Sequence, residues 1–339
     1  MSLTYIEIMN QFNAMQKTIS YLDEELYKLP AGITKVAVLG CGSSYCLAKS
    51  MAAMTRMHTG ISAVALAGGD LLVNAERYAA SLDGCLLVAV SRSGSTSEIL
   101  RAIEILQTSG CRFTLCVLTC VENSPLSTVG DVVFEMPWAF DRSVCQTRTV
   151  SCLYFAYAYS LAVLNKDELL LSDLRSIAMD GSDFAYYAED FATEIAALPW
   201  NCSVVLGDAE IGGLCEEGSL AFKEICRVPS NYYHFLDARH GPMVLFGKET
   251  LVLAAMSGSH YELEFLRDMT RKGCTIVALS DNVPVELECV LSISYGKTLH
   301  PIARGLPFIL LCQLITYYKS FHSGTNPDAP DGLDAWIKL

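Results

Sequence analysis

Two distant stretches of this chain read alike. Residues 85–119 are CLLVAVSRSGSTSEILRAIEILQTSGCRFTLCVLT and residues 250–281 are TLVLAAMSGSHYELEFLRDMTRKGCTIVALSD. Each runs through an apolar strand-like segment, a serine–glycine turn, a helical stretch, a Gly-Cys pair and a second apolar strand. Upstream of each lies another matched segment, KVAVLGC at 35–41 and CSVVLGD at 202–208. A repeat this long exceeds the period of a solenoid, so it predicts two copies of one domain. Apolar β-branched runs alternating with helical stretches predict parallel sheets with helices on both faces.

The rest of the chain fits around that repeat. Residues 1–30 carry apolar side chains at helical spacing (Ile6, Met9, Phe12, Met15, Ile19, Leu22) and predict a leading helix. The expected order is a helix over 1–30, a domain over 31–165, a helical connector over 166–200, a second domain over 201–325 and a tail over 326–339. The fold class is α/β: two tandem three-layer αβα domains with parallel sheets. With 52% apolar and 18% charged residues, the 339-residue chain can bury a large core. A net charge of −13 with no basic cluster argues against a nucleic-acid partner. The longest uncharged apolar run, near 149–164, is short of a membrane span and predicts a buried core helix. The fourteen cysteines include no C-x-x-C pair and sit mostly in apolar runs, which predicts small buried packers in a reducing cytoplasm.

GCGSSY (40–45) and SRSGSTSE (91–98) each lie where a predicted parallel strand ends and a helix opens. Ligands of open α/β sheets bind outside those strand ends. A helix start offers unpaired N–H groups to an anion, and serine and threonine hydroxyls add donors. Such residues are also ordinary helix caps, so one turn is open to both readings; two hydroxyl-rich turns in one domain favour a phosphate. Neither turn is a Walker loop or a G-x-G-x-x-G fingerprint. In CEEGSLAFKE (215–224), Glu217, Ala221 and Glu224 fall on one helix face. Two carboxylates with no cation between them either share a solvated face or raise one another toward the range of a general base. DARHGPM (237–243) places His240 before a Gly-Pro turn, and histidine is suited to proton transfer near neutrality.

These four motifs, in this order, resemble the tandem SIS (sugar isomerase) family, which includes the isomerase half of glucosamine-6-phosphate synthase and the fructosamine-6-phosphate deglycases. The resemblance implies phosphate binding by Ser44, Ser91, Ser93 and Thr96. It implies Glu224 as general base, His240 as the ring-opening residue reaching a neighbouring subunit, and Glu217 as its support. Gly42, Arg92, Val144 and Gln146 are then candidates for lining the site. Gln146 stands where the family usually has serine, and Arg92 either adds charge to the anion site or pairs with a surface acid. Ala221 stands where synthase-type isomerases carry a lysine, and the tail lysine position falls on Ala335, with Lys338 nearby. Schiff-base chemistry needs such an amine, so these departures weaken a synthase-like mechanism; deglycases of the family, whose substrate brings its own amine, lack both lysines, and deglycation and ketose–aldose isomerisation both stay open. SGSHYELE (257–264) carries two glutamates where an anion would sit and is expected to be structural.

The resemblance therefore implies an enzyme that moves a proton between C1 and C2 of a 6-phosphorylated ketose or fructosamine, without a glutaminase domain. A non-catalytic sugar-phosphate binder and an inactive paralogue are the alternatives. No cofactor or metal and no membrane is implied; the expected partners are a phosphorylated sugar or amino-sugar conjugate and further copies of the chain, in a homodimer or larger assembly.

Overall fold

The computed structural model describes residues 2–334. In chain order, α1 (Leu3–Met9) and α2 (Gln11–Glu25) open the chain, with a break at Asn10 and a short 3-10 turn at Leu26–Lys28. The expected single leading helix is thus two. There follow β1 (Lys35–Gly40), α3 (Ser43–Thr59), β2 (Ser62–Ala67), α4 (Gly68–Leu82), β3 (Cys85–Ser91) and α5 (Ser97–Thr108). Then come β4 (Phe113–Thr119), α6 (Pro125–Val129), β5 (Val132–Glu135), α7 (Arg148–Asn165) and α8 (Glu168–Ala197). The last part holds β6 (Cys202–Leu206), α9 (Gly212–Glu224), β7 (Ser230–Tyr233), β8 (Thr250–Ala255), α10 (His260–Arg271), β9 (Thr275–Ser280), β10 (Val290–Ser294) and α11 (Gly305–Ser323).

The chain divides into two compact units. The first, residues 10–142 and 146–178, holds a five-stranded parallel sheet in the order β2-β1-β3-β4-β5. Its central strand β3 is buried at every position, as a strand covered on both faces must be, whereas the edge strand β2 alternates. Ala37, Leu39, Leu87, Ala89, Ile99 and Ile103 join in one core cluster on the α4–α5 face. The uncharged run near 149–164 is α7, buried along most of its length, as expected. α2 lies against α7, and the Trp138 indole N–H donates to Thr18 Oγ1 at 2.9 Å.

The second unit, residues 2–9, 143–145 and 179–333, holds the sheet β10-β9-β8-β6-β7, also all parallel. Counted in chain order, both sheets have the strand order 2-1-3-4-5, so the sequence repeat is a repeat of topology. α9 and α11 approach closely because Gly218 has no side chain: a Cβ there would lie 2.7 Å from Cys312 Sγ. Lys319 of α11 is buried, stacks 3.9 Å over the Trp200 ring, and donates to the carbonyls of Ala196 (3.2 Å) and Leu198 (3.0 Å) at the end of α8. It meets the negative end of that helix dipole, although burial holds its amine below the ordinary lysine range. No cysteine forms a disulfide and most are buried. Among the described residues, no helix is long and apolar enough to cross a membrane.

A short clasp closes the second unit. Asp328 accepts from the backbone N–H groups of Leu3 (3.0 Å) and Thr4 (2.8 Å) and from the Thr4 hydroxyl (2.8 Å), and its carbonyl takes the Val144 N–H (3.0 Å). Burial pushes this carboxyl up, but those donors outweigh it and hold it below the ordinary carboxylate range. A depressed carboxyl stabilises the fold above its unfolded value and loses that contribution as pH falls through the folded one. Asp328→Asn is therefore expected to cost about 1 kcal/mol at neutral pH. The deficit should begin to shrink below about pH 4 and vanish only once pH falls past the depressed folded value, as the wild-type carboxyl takes up its proton. Thermal melts across pH check this, and equal stability at neutral pH would contradict it.

Candidate active site

In the first sheet the strand order reverses between β1 and β3, and both hydroxyl-rich turns lie at that reversal. The turn after β1 is tight. A Cβ at Gly40 would lie 2.3 Å from the Ser44 carbonyl oxygen, and Gly42 adopts φ 54°, ψ −127°. Gly42 occupies the cap position of α3 and no side chain caps that helix. Ser44, in its first turn, is buried. After β3, a Cβ at Gly94 would lie 2.0 Å from Ser124 Oγ, so glycine is the residue this φ +62° position accepts. Ser91 Oγ and Thr96 Oγ1 bond each other at 2.8 Å, and the Gly94 N–H donates to Ser91 Oγ at 3.1 Å. The Ser95 N–H donates to Ser93 Oγ at 3.2 Å. Thr96 holds the cap position of α5 but makes no capping bond, because its hydroxyl is committed to Ser91.

Of the predicted phosphate ligands, Ser91 and Thr96 are thus joined, Ser93 stiffens the same turn, and Ser44 lies on the neighbouring strand's turn. Glu98, in the first turn of α5, leaves one carboxylate oxygen buried without a hydrogen bond. Burial, then the nearby Glu98 carboxylate, pushes the Cys41 thiol up to about 11. Arg92 is 5% exposed, with its guanidinium 5.9 Å from the centre of the Phe140 ring, so it is not a surface ion-pair residue. Gln146 is half-buried, and its side-chain oxygen lacks a hydrogen-bond partner.

The equivalent turn after β8 is filled. The Glu262 carboxylate accepts from the N–H groups of Ser257 (2.9 Å), Gly258 (3.1 Å) and Ser259 (3.2 Å), and from the Ser257 hydroxyl (2.6 Å). Ser259 and Glu262 form a full capping box on α10. A carboxylate of the chain itself occupies the place an anion would take.

On α9, Glu217 and Ala221 are buried and Glu224 is half-buried at the helix end. Cys145 packs with Ala221 and Ile225, and Leu333 joins them. Val144 belongs to the same strap, and Ser143 bonds the buried Glu7 carboxylate through both its N–H and its hydroxyl. The strap, α1 and the chain near Asp328 thus gather around the end of α9. His240 is exposed on the loop that follows β7, beside Gly241 at φ 129°. Since α9 joins two neighbouring parallel strands, it starts at the carboxyl end of β6 and runs back toward the amino end of β7. Twelve residue steps of helix, about 18 Å, therefore separate Glu224 from the edge where the His240 loop begins. Lys338 and Ala335 lie outside the described residues.

One histidine without context in the sequence gains partners in the fold. His234 follows β7, and its Nδ1 lies 2.7 Å from Asp208 Oδ1. The two residues stand on different strand ends, so no local motif in the sequence announces the pair.

The family model for the SIS domain matches residues 32–162. The glutamine–fructose-6-phosphate aminotransferase (isomerizing) of Sulfurisphaera tokodaii is 28% identical over 310 residues, covering 88% of this chain and 49% of that protein, so the chain spans about half of that relative. The D-galactosamine-6-phosphate deaminase of Shewanella sp. (strain ANA-3) is 25% identical, covering 87% of this chain and 77% of that protein. The solved tagatose-6-phosphate ketose/aldose isomerase of Escherichia coli superposes with a TM-score of 0.84 at 20% identity, covering 100% of this chain and 96% of that one. Residues 32–162 are thus a SIS domain, and the second sheet repeats its strand order.

Proposed function

We propose that this protein is an enzyme that binds the phosphate of a 6-phosphorylated sugar at the first switch point and moves a proton between C1 and C2. The observation that carries the reading is the pair of uncapped helix starts, α3 and α5, at one strand reversal. The dipole ends of both helices favour an anion, and the Ser91–Thr96 pair holds hydroxyls ready at the start of α5. Glu224 is the base of the proposed reaction, Glu217 supports it from the same helix face, and His240 opens the sugar ring.

Ala221 bears on the substrate. A ketose that must form a Schiff base with the protein needs an amine, and the helix face carrying Glu217 and Glu224 has alanine between them. A substrate that carries its own nitrogen removes that need, as a fructosamine 6-phosphate does. The deaminase relative's name points to a hexosamine phosphate as another case. In a hexosamine phosphate, Glu224 takes the C2 proton from the open aldehyde form, giving an enolamine. Protonation at C1 leaves a C2 iminium, and water adds there to release ammonia and a ketose phosphate. Ketose–aldose isomerisation uses the same C1/C2 transfer without loss of nitrogen.

The placement of His240 favours two copies. Glu224 lies at one end of α9, and the His240 loop leaves from the other end of the same unit. Near His240 the loop exposes Leu236, Val244 and Leu245 at 42%, 76% and 80%. An apolar-tipped loop carrying a histidine suits insertion into a second copy, where it would meet that copy's Glu224.

Three outcomes are expected. With a panel of hexose, hexosamine and fructosamine 6-phosphates, Ser91→Ala and Thr96→Val should each weaken substrate binding about tenfold or more, mainly through KM. Glu224→Gln should lower kcat by about two to four orders of magnitude with KM little changed; wild-type activity in this variant, or no turnover of any member by wild type, would overturn the reading. Mixing unfolded Glu224→Gln and His240→Asn chains and refolding them together should restore up to about a quarter of wild-type activity; no gain on mixing would place both residues in one chain's site.

A further inference from the structure

The second sheet repeats the 2-1-3-4-5 order, so it has a switch point of its own, between β6 and β8. Ligands of open α/β sheets bind at such reversals, and the reaction proposed above gives this one no task. Asp208 lies two residues past β6 and His234 directly past β7. His234 Nδ1 is 2.7 Å from Asp208 Oδ1, and the Phe235 N–H reaches Asp208 Oδ2 at 3.4 Å. The Tyr232 hydroxyl donates to the Gly207 carbonyl at 3.1 Å, which leaves its oxygen as an acceptor toward His234 Nδ1 at 3.2 Å. An ionised carboxylate can only accept, so Nδ1 carries a proton, and in the neutral ring Nε2 presents its lone pair. The imidazole is 57% and the Asp208 side chain 42% exposed, so both reach solvent.

The arrangement is built. A Cβ at Gly212, the first residue of α9, would lie 2.7 Å from the Tyr232 hydroxyl oxygen. Burial, followed by Cys215, Asp208 and Glu216, pushes the Tyr232 phenol up and keeps it protonated at neutral pH. On the other side of the reversal, the turn after β8 is closed to anions by Glu262. Beyond it an open cavity of about 570 Å³ lies at the carboxyl ends of β8 and β9, reaching Ser257, Asn282 and Glu286. Its other carboxylate, Asp281, is spanned by Arg304 at 2.9 and 2.7 Å.

Where the first switch point offers donors to an anion, the second offers acceptors: His234 Nε2, the Asp208 carboxylate and, further along the edge, Glu286. We propose that the second switch point binds a small phosphate-free ligand that carries an amine, an amino sugar being the class that fits, with His234 Nε2 and Asp208 receiving its N–H and O–H groups. An ammonium supplies donors and positive charge where a phosphate would supply only acceptors and meet Asp208 and Glu262.

The test is calorimetric titration of the full chain with glucosamine, with glucose and inorganic phosphate as comparisons. Wild type should bind glucosamine more tightly than glucose, and phosphate should not displace it. Asp208→Asn and His234→Gln should each weaken glucosamine about tenfold while melting like wild type, as half-exposed positions allow. Thr96→Val should leave glucosamine unchanged, which separates this site from the phosphate site of the proposed reaction. Unchanged affinity in both Asp208→Asn and His234→Gln, no binding to wild type, displacement by phosphate, or equal binding of glucose would each overturn the assignment.

Discussion

A parallel strand followed by a glycine turn points the first N–H groups of the next helix at the sheet's carboxyl edge, and something must satisfy them. In this protein two sheets of identical order meet that demand in opposite ways. At the first, the Thr96 hydroxyl is drawn to Ser91, and Gly42 has no side chain to offer, so the starts of α5 and α3 carry no cap. At the second, Glu262 reaches back over its own turn and bonds three successive N–H groups. At the second edge the chain supplies its own carboxylate, and at the first no side chain caps either helix start. The repeated strand order supplies the scaffold, and a few side chains distinguish the two turns.

The same economy shapes α9. Its glycine start makes room for Tyr232, Gly218 lets α11 approach, and its far end is wrapped by the strap at Cys145 and by Leu333. The strap is held by the buried Glu7 and by the Asp328 clasp. The end of α9 that carries Glu224 is thus packed against the chain at Cys145 and Leu333. Ala221 packs among these neighbours, beside Cys145, Ile225 and Leu333.

Much of the fold was legible in the sequence, for a physical reason. The central strands β1, β3, β4, β6, β8 and β9 are covered on both faces, so each reads as a continuous apolar run. The edge strands are different. β2 alternates exposed and buried residues in an alanine-rich stretch, β5 and β7 are four residues long, and β10 is mostly half-buried. None carries a pattern that separates it from loop. The leading helix looked continuous because apolar spacing runs through Asn10, where the backbone breaks it. Among site residues, the hydroxyl turns and the α9 stripe could be read locally. The Asp208–His234 pair could not, since it is made by two strand ends that only the parallel pairing of β6 and β7 brings together. Nor could Arg92, whose burial against Phe140 depends on the chain after β5 folding back over the turn.

The most direct test of the account is a crystal structure of the protein soaked with a hexosamine 6-phosphate. The phosphate is expected at the first switch point, between the starts of α3 and α5 and within hydrogen-bond distance of Ser91 and Thr96. Phosphate density at Ser257–Ser259 with Glu262 displaced, or sugar phosphate bound away from both turns, would contradict it.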